Sequence, residues 1–521
     1  MKKARFSIFY LIVTLVIGVF SQCCSAKMSE PIRIELDGSI YPITAPISSV
    51  DNITYVFTGN IEGTIIVRRS NIVLYVAHHM IQGAADEVGI DLSNIKNVTV
   101  KDVRIKQFVY AVMMANSSNC TICNSTITEN TWGIRIYDDS SGNTIIGNDI
   151  TNNSYGLMLD RTDSNEIIEN NVTMNNWYGI GNYYASSSNV IAGNVITGNR
   201  YDGIKLLADS HSNIILNNTI RKNFRGIRLG HSADNNSISG NDISGNVYGI
   251  GFYYASGYNK IIGNEISSNE IGLHFFQSSS NNTIYHNNLG NHQQVFDDSL
   301  NDSSVLPSIN LWDDGTEGNF WSNYAGSDLN GDGVGDKSFG LDTNNQDNYP
   351  LMGRFYDFEV VAEYGEKHHV YVISNSSVSG FSLFWWLSSP NQYLNPGQKF
   401  VAFLIEGENG TSGFCRVSMP KAVLNGTYTV LIDWNIVQSK ELYSNATHAR
   451  LYFSYQHTHH EVMVISEFPK VIILQTILVP VLLAFKLIKR KMSLAPEEYR
   501  QKTSTTNHPS SESPKANIPY P

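Results

Sequence analysis

Seven glycines recur at steps of 23, 23, 24, 23, 23 and 23 residues: Gly133, Gly156, Gly179, Gly203, Gly226, Gly249 and Gly272. Asparagines keep the same beat at Asn143, Asn165, Asn189, Asn213, Asn236, Asn259 and Asn282. Each has another asparagine five residues on, from Asn148 to Asn287. Two residue types holding one register mark a stacked repeat, because a single unit of this length cannot bury an apolar face alone.

The content of one period sets the geometry. Ile145 and Ile150 each stand two residues after an asparagine, and Leu157 and Leu159 alternate after Gly156. Alternation of period two means short strands, here three per repeat, separated by turns. Stacking at about 4.8 Å pairs each backbone with the next and sets like on like. Asparagine tolerates the left-handed turn and can share amide hydrogen bonds along a ladder. The expected fold is therefore all-β: a right-handed, single-stranded parallel β-helix. The other architecture with this period, a leucine-rich repeat, needs leucines that are scarce here.

Residues 27–95 read as an N-terminal cap with opening coils and 96–290 as the repeats, with Asn97 and Ala111 holding the asparagine and glycine places of an early coil. The pattern stops after Asn288, and 291–354 reads as a closing segment. Expected strands at 358–362, 369–373, 400–405 and 428–432, separated by turn signals, make 355–466 an immunoglobulin-like β-sandwich.

The ends carry membrane signals. Lys2, Lys3 and Arg5 precede an apolar run, giving a signal peptide at 1–26. An apolar stretch followed by Lys486, Lys489, Arg490 and Lys491 gives one transmembrane helix at 467–491, with a disordered cytoplasmic tail at 492–521. The folded part is then extracellular, in a single-pass membrane protein at the cell envelope. A net charge of −11 and the lack of a basic stripe argue against nucleic acid as a partner. Cys120, Cys123 and Cys415 remain after cleavage, an odd number with no dense disulfide pattern.

The Asn-x-Ile-x-x-Asn coils resemble the NosD-like parallel β-helix proteins, also described as carbohydrate-binding and sugar-hydrolase (CASH) β-helices. Leu311 to Gly315, Gly318 to Tyr324 and Asn348 to Met352 resemble the tail of archaeal surface members of that group. Gly413 to Arg416 and Tyr455 to His460 resemble a module attached to such surface proteins. The resemblance implies the pectin-lyase-like β-helix. Its name implies copper-site maturation for some members only.

Four sets of residues are candidates for chemistry. Asp328, Asn330 and Asp332 alternate, Gly333 permits a sharp turn, Val334 can offer a carbonyl, and Asp336 follows. Hard oxygen ligands in this order suit a structural calcium, although Phe339 stands where an EF-hand has its glutamate. Two residues after each glycine, the outward positions Arg135, Met158, Gly181, Lys205, Arg228, Gly251 and His274 should form one strip. Beside it stand Tyr137, Tyr183, Tyr184, Tyr253 and Tyr254, with Trp132, Tyr155, Tyr178 and Tyr248 just before glycines. Aromatic faces suit sugar rings and cations suit carboxylates, so the strip is a candidate site for an acidic or neutral polysaccharide or surface glycan. A lyase or glycoside hydrolase would need a positioned base or paired carboxylates. Asp138, Asp160 and Asp202, with Arg161 and Arg228, form no repeated pair, so catalysis is the alternative rather than the leading reading. Copper would need a His, Met or Cys cluster, and only His368, His369, His457, His459 and His460 gather in one region. Asn375, Asn409, Asn425 and Asn445 are glycosylation candidates, whereas the sequons at Asn217, Asn235 and Asn281 are expected to belong to the ladders.

Overall fold

The computed structural model describes residues 30–466 apart from 86, 303, 387–392 and 395. The expected signal peptide at 1–26, membrane helix at 467–491 and tail at 492–521 lie outside the described residues. Among the described residues no helix is long and apolar enough to cross a membrane.

The repeats wind into a right-handed parallel β-helix of about 11 turns, with three sheets of 13, 12 and 12 strands. One coil places Trp132–Tyr137 on face 1, Thr144–Ile146 on face 2 and Asp149–Thr151 on face 3. The next coil begins at Tyr155–Asp160, whose Leu157 and Leu159 register with Ile134 and Ile136. Inward columns such as Ile145, Ile167, Ile191 and Ile215 are fully buried. Burial of each such side chain is favourable by about 1.5–3 kcal/mol, and one continuous core results.

The asparagines hold the corners. Asn143 donates its backbone N–H and its Nδ2 to Asn165 Oδ1, both at 3.0 Å, and Nδ2 also reaches the Ser117 carbonyl at 3.0 Å. The same arrangement joins Asn148 to Asn170 at the next corner. A third ladder, unanticipated in the repeat pattern, runs through Asn130, Asn153, Asn175, Asn199 and onward at the remaining corner. Along the regular coils these bonds match buried corner donors to acceptors on the neighbouring coil.

Two expectations shift by a residue. The ladder place in the early coil belongs to Val98, which registers with Cys120 and then Asn143; Asn97 precedes it with φ 55°. Asn217, Asn235 and Asn281 likewise stand just outside the ladders with positive φ, because the turn needs a left-handed residue there.

The glycine beat has a steric cause. A Cβ on Gly156 would lie 2.3 Å from the Gly179 carbonyl oxygen, and one on Gly203 would lie 2.7 Å from that of Gly226. Successive backbones approach too closely at these glycines for an added Cβ, although Ala111 fills the same place in an earlier coil.

Both ends of the solenoid are covered. Ile40–Tyr41 and Ile47–Ser48 pair antiparallel with early strands and blunt the N-terminal edge. At the other end the ladders run on past Asn288, correcting the expectation that the pattern stops there. Asn282 bonds to Asn310 and Asn287 to Asn319, across an insertion between them. Trp312 and Trp321 cover the last core layer, and their indole N–H groups donate to Asn345 and Asp347. Asp347, which also accepts from the Asn319 N–H, thus ends one ladder. Burial pushes its carboxyl up to about 6 against those hydrogen bonds.

The second unit has two five-stranded antiparallel sheets around one core that includes Val372, Val401, Phe403, Val417, Phe453 and Val464. Its strands Arg354–Val361, Lys367–Ser374, Lys399–Glu406 and Tyr428–Ile432 fall where the sequence places them. It docks on the solenoid end through Arg354 on Glu265 (2.7 Å) and through Asn288 on the Phe355 backbone. Glu317 accepts from His286 (2.9 Å), Arg416 (2.7 Å) and Arg450 (2.6 Å). Burial works to raise its carboxyl, but these partners outweigh that and hold it down to about 2. Cys120, Cys123 and Cys415 are free thiols.

Candidate functional site on face 1

Outward-facing columns on face 1 change residue at nearly every coil, unlike the ladders. The middle column runs Arg135, Met158, Gly181, Lys205, Arg228, Gly251 and His274, as expected from the glycine spacing. Tyr137, Asp160 and Tyr183 register on one side of it, continuing through Leu207, Gly230 and Tyr253. On the other side Trp132 and Tyr155 register, and further along Asp202, Arg225 and Tyr248.

The centre of this surface is charged. Asp202, with only 4% of its side chain exposed, faces Arg225 Nε at 3.3 Å and Arg228 Nη1 at 3.9 Å. Burial pushes the Asp202 carboxyl up, opposed by Arg225, Arg228 and Lys205. Lys205 Nζ lies over the rings of Tyr178 and Tyr183 at 5.3 and 5.0 Å. Burial pushes its ammonium down, partly offset by Asp202. Toward the N-terminal side, Arg135 bonds Asp160 (3.2 Å) and Tyr110 (3.1 Å) and lies over the Tyr137 ring at 4.7 Å.

Tyrosines flank the charges. Burial raises Tyr178 and pushes Tyr183 and Tyr253 up to about 12, so all three are neutral phenols. The Tyr253 hydroxyl bonds His274 Nδ1 at 2.9 Å, and His274 Nε2 bonds Asp298 at 2.7 Å. Burial lowers the His274 imidazole pKa despite Asp298. In its neutral form His274 accepts at Nδ1 from Tyr253 and donates at Nε2 to Asp298. Tyr184 and Tyr254 stand apart from this face, at the exposed corner leading to face 2, where both have positive φ.

An exposed aromatic ladder borders the same surface on its other side. Trp177 and Tyr201 stack at 5.0 Å and 14°, and Tyr155 lies 5.9 Å from Trp177. Phe224 continues the column one coil further, 5.5 Å from Tyr248. Trp177, Tyr201 and Phe224 are 48%, 37% and 39% exposed. Sequence reasoning missed all three, together with Arg225, although they stand one or two residues before the repeat glycines.

The Asp328 loop lies against the second unit instead. Asp328 accepts the N–H groups of Gly331, Asp332 and Gly333, and Asp332 accepts that of Val334. Asp336 accepts the Leu329 N–H, while Lys440 donates to the Asn330 carbonyl and Arg416 to that of Asp332. Among the described residues no three His, Cys, Asp or Glu side chains converge on a common metal position.

His369 bonds Asp357, His460 bonds Asp433, and buried His457 bonds Ser376. His286 and His274 are held by Glu317 and Asp298. These five rings are each hydrogen-bonded to a carboxylate or hydroxyl. The second-unit sequon residues Asn375, Asn409, Asn425 and Asn445 are all exposed, and the Asn375 amide also donates to the Ser412 carbonyl.

Comparisons place the chain. No curated protein matches it. Among solved structures it is similar to the periplasmic alginate epimerase AlgG, with 18% identity over 43% of this chain and 75% of that one and a TM-score of 0.34. It is also similar to the Azotobacter vinelandii mannuronan C-5 epimerase AlgE6 A-module (13% identity, 47% and 84% covered, TM-score 0.37). A third is the catalytic domain of a GH87 alpha-1,3-glucanase (14%, 51% and 63% covered, TM-score 0.38). The family model described as periplasmic copper-binding protein (NosD) matches residues 47–224 and 178–326. These matches together span more than half of the chain, along its coils and closing segment, and the protein belongs to the NosD family.

Proposed function

We propose that the protein binds an extended polysaccharide along face 1, outside the cell. The observation that carries this reading is the exposed ladder Trp177–Tyr201–Phe224, parallel to the helix axis and beside partly buried cations. Flat apolar rings at coil spacing suit the faces of successive sugars, and neighbouring charged groups suit their polar edges. Monomeric soluble proteins seldom expose such a row without a partner for it. Affinity electrophoresis in gels containing polysaccharides tests the reading. Retardation in at least one gel should fall about tenfold in Trp177→Ala and Tyr201→Ala; unchanged retardation in both variants would sink the proposal.

A second reading, cleavage of the bound polymer by a lyase or hydrolase, is favoured by the hydrogen-bonded chain Tyr253–His274–Asp298. In such a chain the phenol proton can pass to His274 Nδ1 as Asp298 holds the resulting imidazolium, leaving a phenolate to act as the base. New chain ends after incubation with a bound polymer would support it, and their absence would leave binding alone.

The location belongs to the same proposal: a signal peptide at 1–26, a membrane helix at 467–491, and the two-sheet unit as an immunoglobulin-like stalk. Glycans would attach at Asn375, Asn409, Asn425 and Asn445, all of them exposed. Calcium in the 328–336 loop is supported by the order of its oxygen side chains. Asp328 would have to release backbone amides to take the ion, and calorimetry without heat at millimolar calcium would exclude it.

A further inference from the structure

We infer that Lys205, Arg225 and Arg228 form a subsite for one carboxylate-bearing sugar of the polymer, walled along the helix axis by Tyr183 and Tyr253. This deepens the polysaccharide reading and rests on it.

The walls come from two glycines. In the middle column Gly181 precedes Lys205 by one coil, and Gly251 follows Arg228 by one coil. A Cβ on Gly181 would lie 2.6 Å from Tyr178 Cε2 and 2.7 Å from Tyr183 Cε2; one on Gly251 would lie 2.5 Å from Tyr253 Cε2. The rings therefore lie across the gaps that these glycines leave. Between them the column carries only Lys205 and Arg228, while Leu207 and Gly230 occupy the neighbouring column at the same coils. The result is a bay two coils long, about 10 Å, bounded by aromatic rings. Tyr253 is fixed in place by His274 and Asp298.

The charges within the bay do not balance. Lys205, Arg225 and Arg228 contribute three cations, and Asp202 is the carboxylate they surround, at 3.3 and 3.9 Å from the two guanidiniums. Lys205 makes no hydrogen bond or salt bridge among the described residues. Arg225 Nε, Arg225 Nη1 and Arg228 Nε are shielded from solvent without a hydrogen-bond partner, as is Asp202 Oδ1. Partly desolvated N–H groups that make no hydrogen bond are unfavourable even beside one shared carboxylate, and an anion with two oxygens can compensate them through the fork geometry of arginine. Both arginine side chains keep some exposure, 16% and 19%. The ligand is a sugar rather than an isolated anion because the bay adjoins the aromatic ladder. Tyr201 directly precedes Asp202, Phe224 directly precedes Arg225, and the Arg225 head lies 4.9 Å from the Phe224 ring.

The test is calorimetry of the full chain in detergent with polygalacturonate, dextran sulfate and dextran, at low and high salt. The wild type should bind polygalacturonate at least tenfold more tightly than dextran and lose affinity as salt rises. Arg225→Met/Arg228→Met and, separately, Lys205→Gln should weaken polygalacturonate at least tenfold and fivefold while circular dichroism stays native. Equal affinity for dextran, or both variants binding as wild type, would overturn the subsite while leaving polysaccharide binding intact. Preference for dextran sulfate over polygalacturonate would overturn the assignment to carboxylate. Binding of none of the three, with no other polymer retarded in the gels, would remove both readings.

Discussion

The corners of the solenoid and the outward side of face 1 share one backbone and follow opposite rules. At the corners one residue type repeats, and Asn side chains such as Asn194 and Asn218 bond to the coil beside them. On face 1 the outward residue changes from coil to coil: Arg, Met, Gly, Lys, Arg, Gly, His. Repetition builds the stack, because identical side chains meet in identical surroundings. Departure from repetition leaves charges incompletely paired and rings exposed, and there a ligand has something to gain.

The sharpest way to break this contrast is at a ladder. Asn218 accepts from the Asn194 backbone and Nδ2 and donates to the Ile191 and Leu216 carbonyls and to Asn241. Asn218→Ala should cost about 3–5 kcal/mol by leaving several buried groups unpaired, while the protein that remains folded binds polysaccharide as before. Denaturant unfolding measures this, and a loss below 1 kcal/mol would mean that the ladders are ornamental.

The acid that ends one ladder gives a pH-dependent effect of smaller size. With its folded carboxyl at about 6, above the ordinary 3.8, Asp347 holds its proton more tightly in the folded state. Its contribution to stability is fully present below about pH 3.8 and lost as pH rises through 6. The stability of the wild type relative to Asp347→Asn should fall by about 2–3 kcal/mol between pH 4 and pH 7. A difference that is flat with pH, in unfolding curves of both proteins, would contradict the buried acid.

The smallest effect on stability is expected on face 1. In Gly251→Ala the new methyl meets the Tyr253 ring and not backbone, so the ring is pushed outward at the expense of its hydrogen bond to His274. Unfolding free energy should change by less than about 1 kcal/mol. The displaced wall should nevertheless weaken polygalacturonate binding severalfold; unchanged binding would separate Tyr253 from the site.

Much of this was legible in the sequence, for reasons that the structure makes physical. The glycine beat marks carbonyls packed 2.3–2.8 Å from an added Cβ, and such a constraint cannot drift. The middle column of face 1 follows directly from it. The third ladder, through Asn153 and Asn175, was equally present in the spacing but masked by the abundance of asparagine. Asp202 and Arg225 occupy the same repeat place as Trp132, Tyr155 and Tyr178, and a search for aromatics alone passes over Arg225. The contact Glu317–Arg416 was not legible: partners 99 residues apart meet through a domain docking that breaks the repeat.

Hydrogen–deuterium exchange with and without polygalacturonate tests most directly whether function lies where the repeat is broken. The account predicts slowed exchange within 177–183, 202–207, 225–230 and 248–253, with faces 2 and 3 unchanged along the same coils. Protection spread over all three faces, or confined to the two-sheet unit, would contradict it.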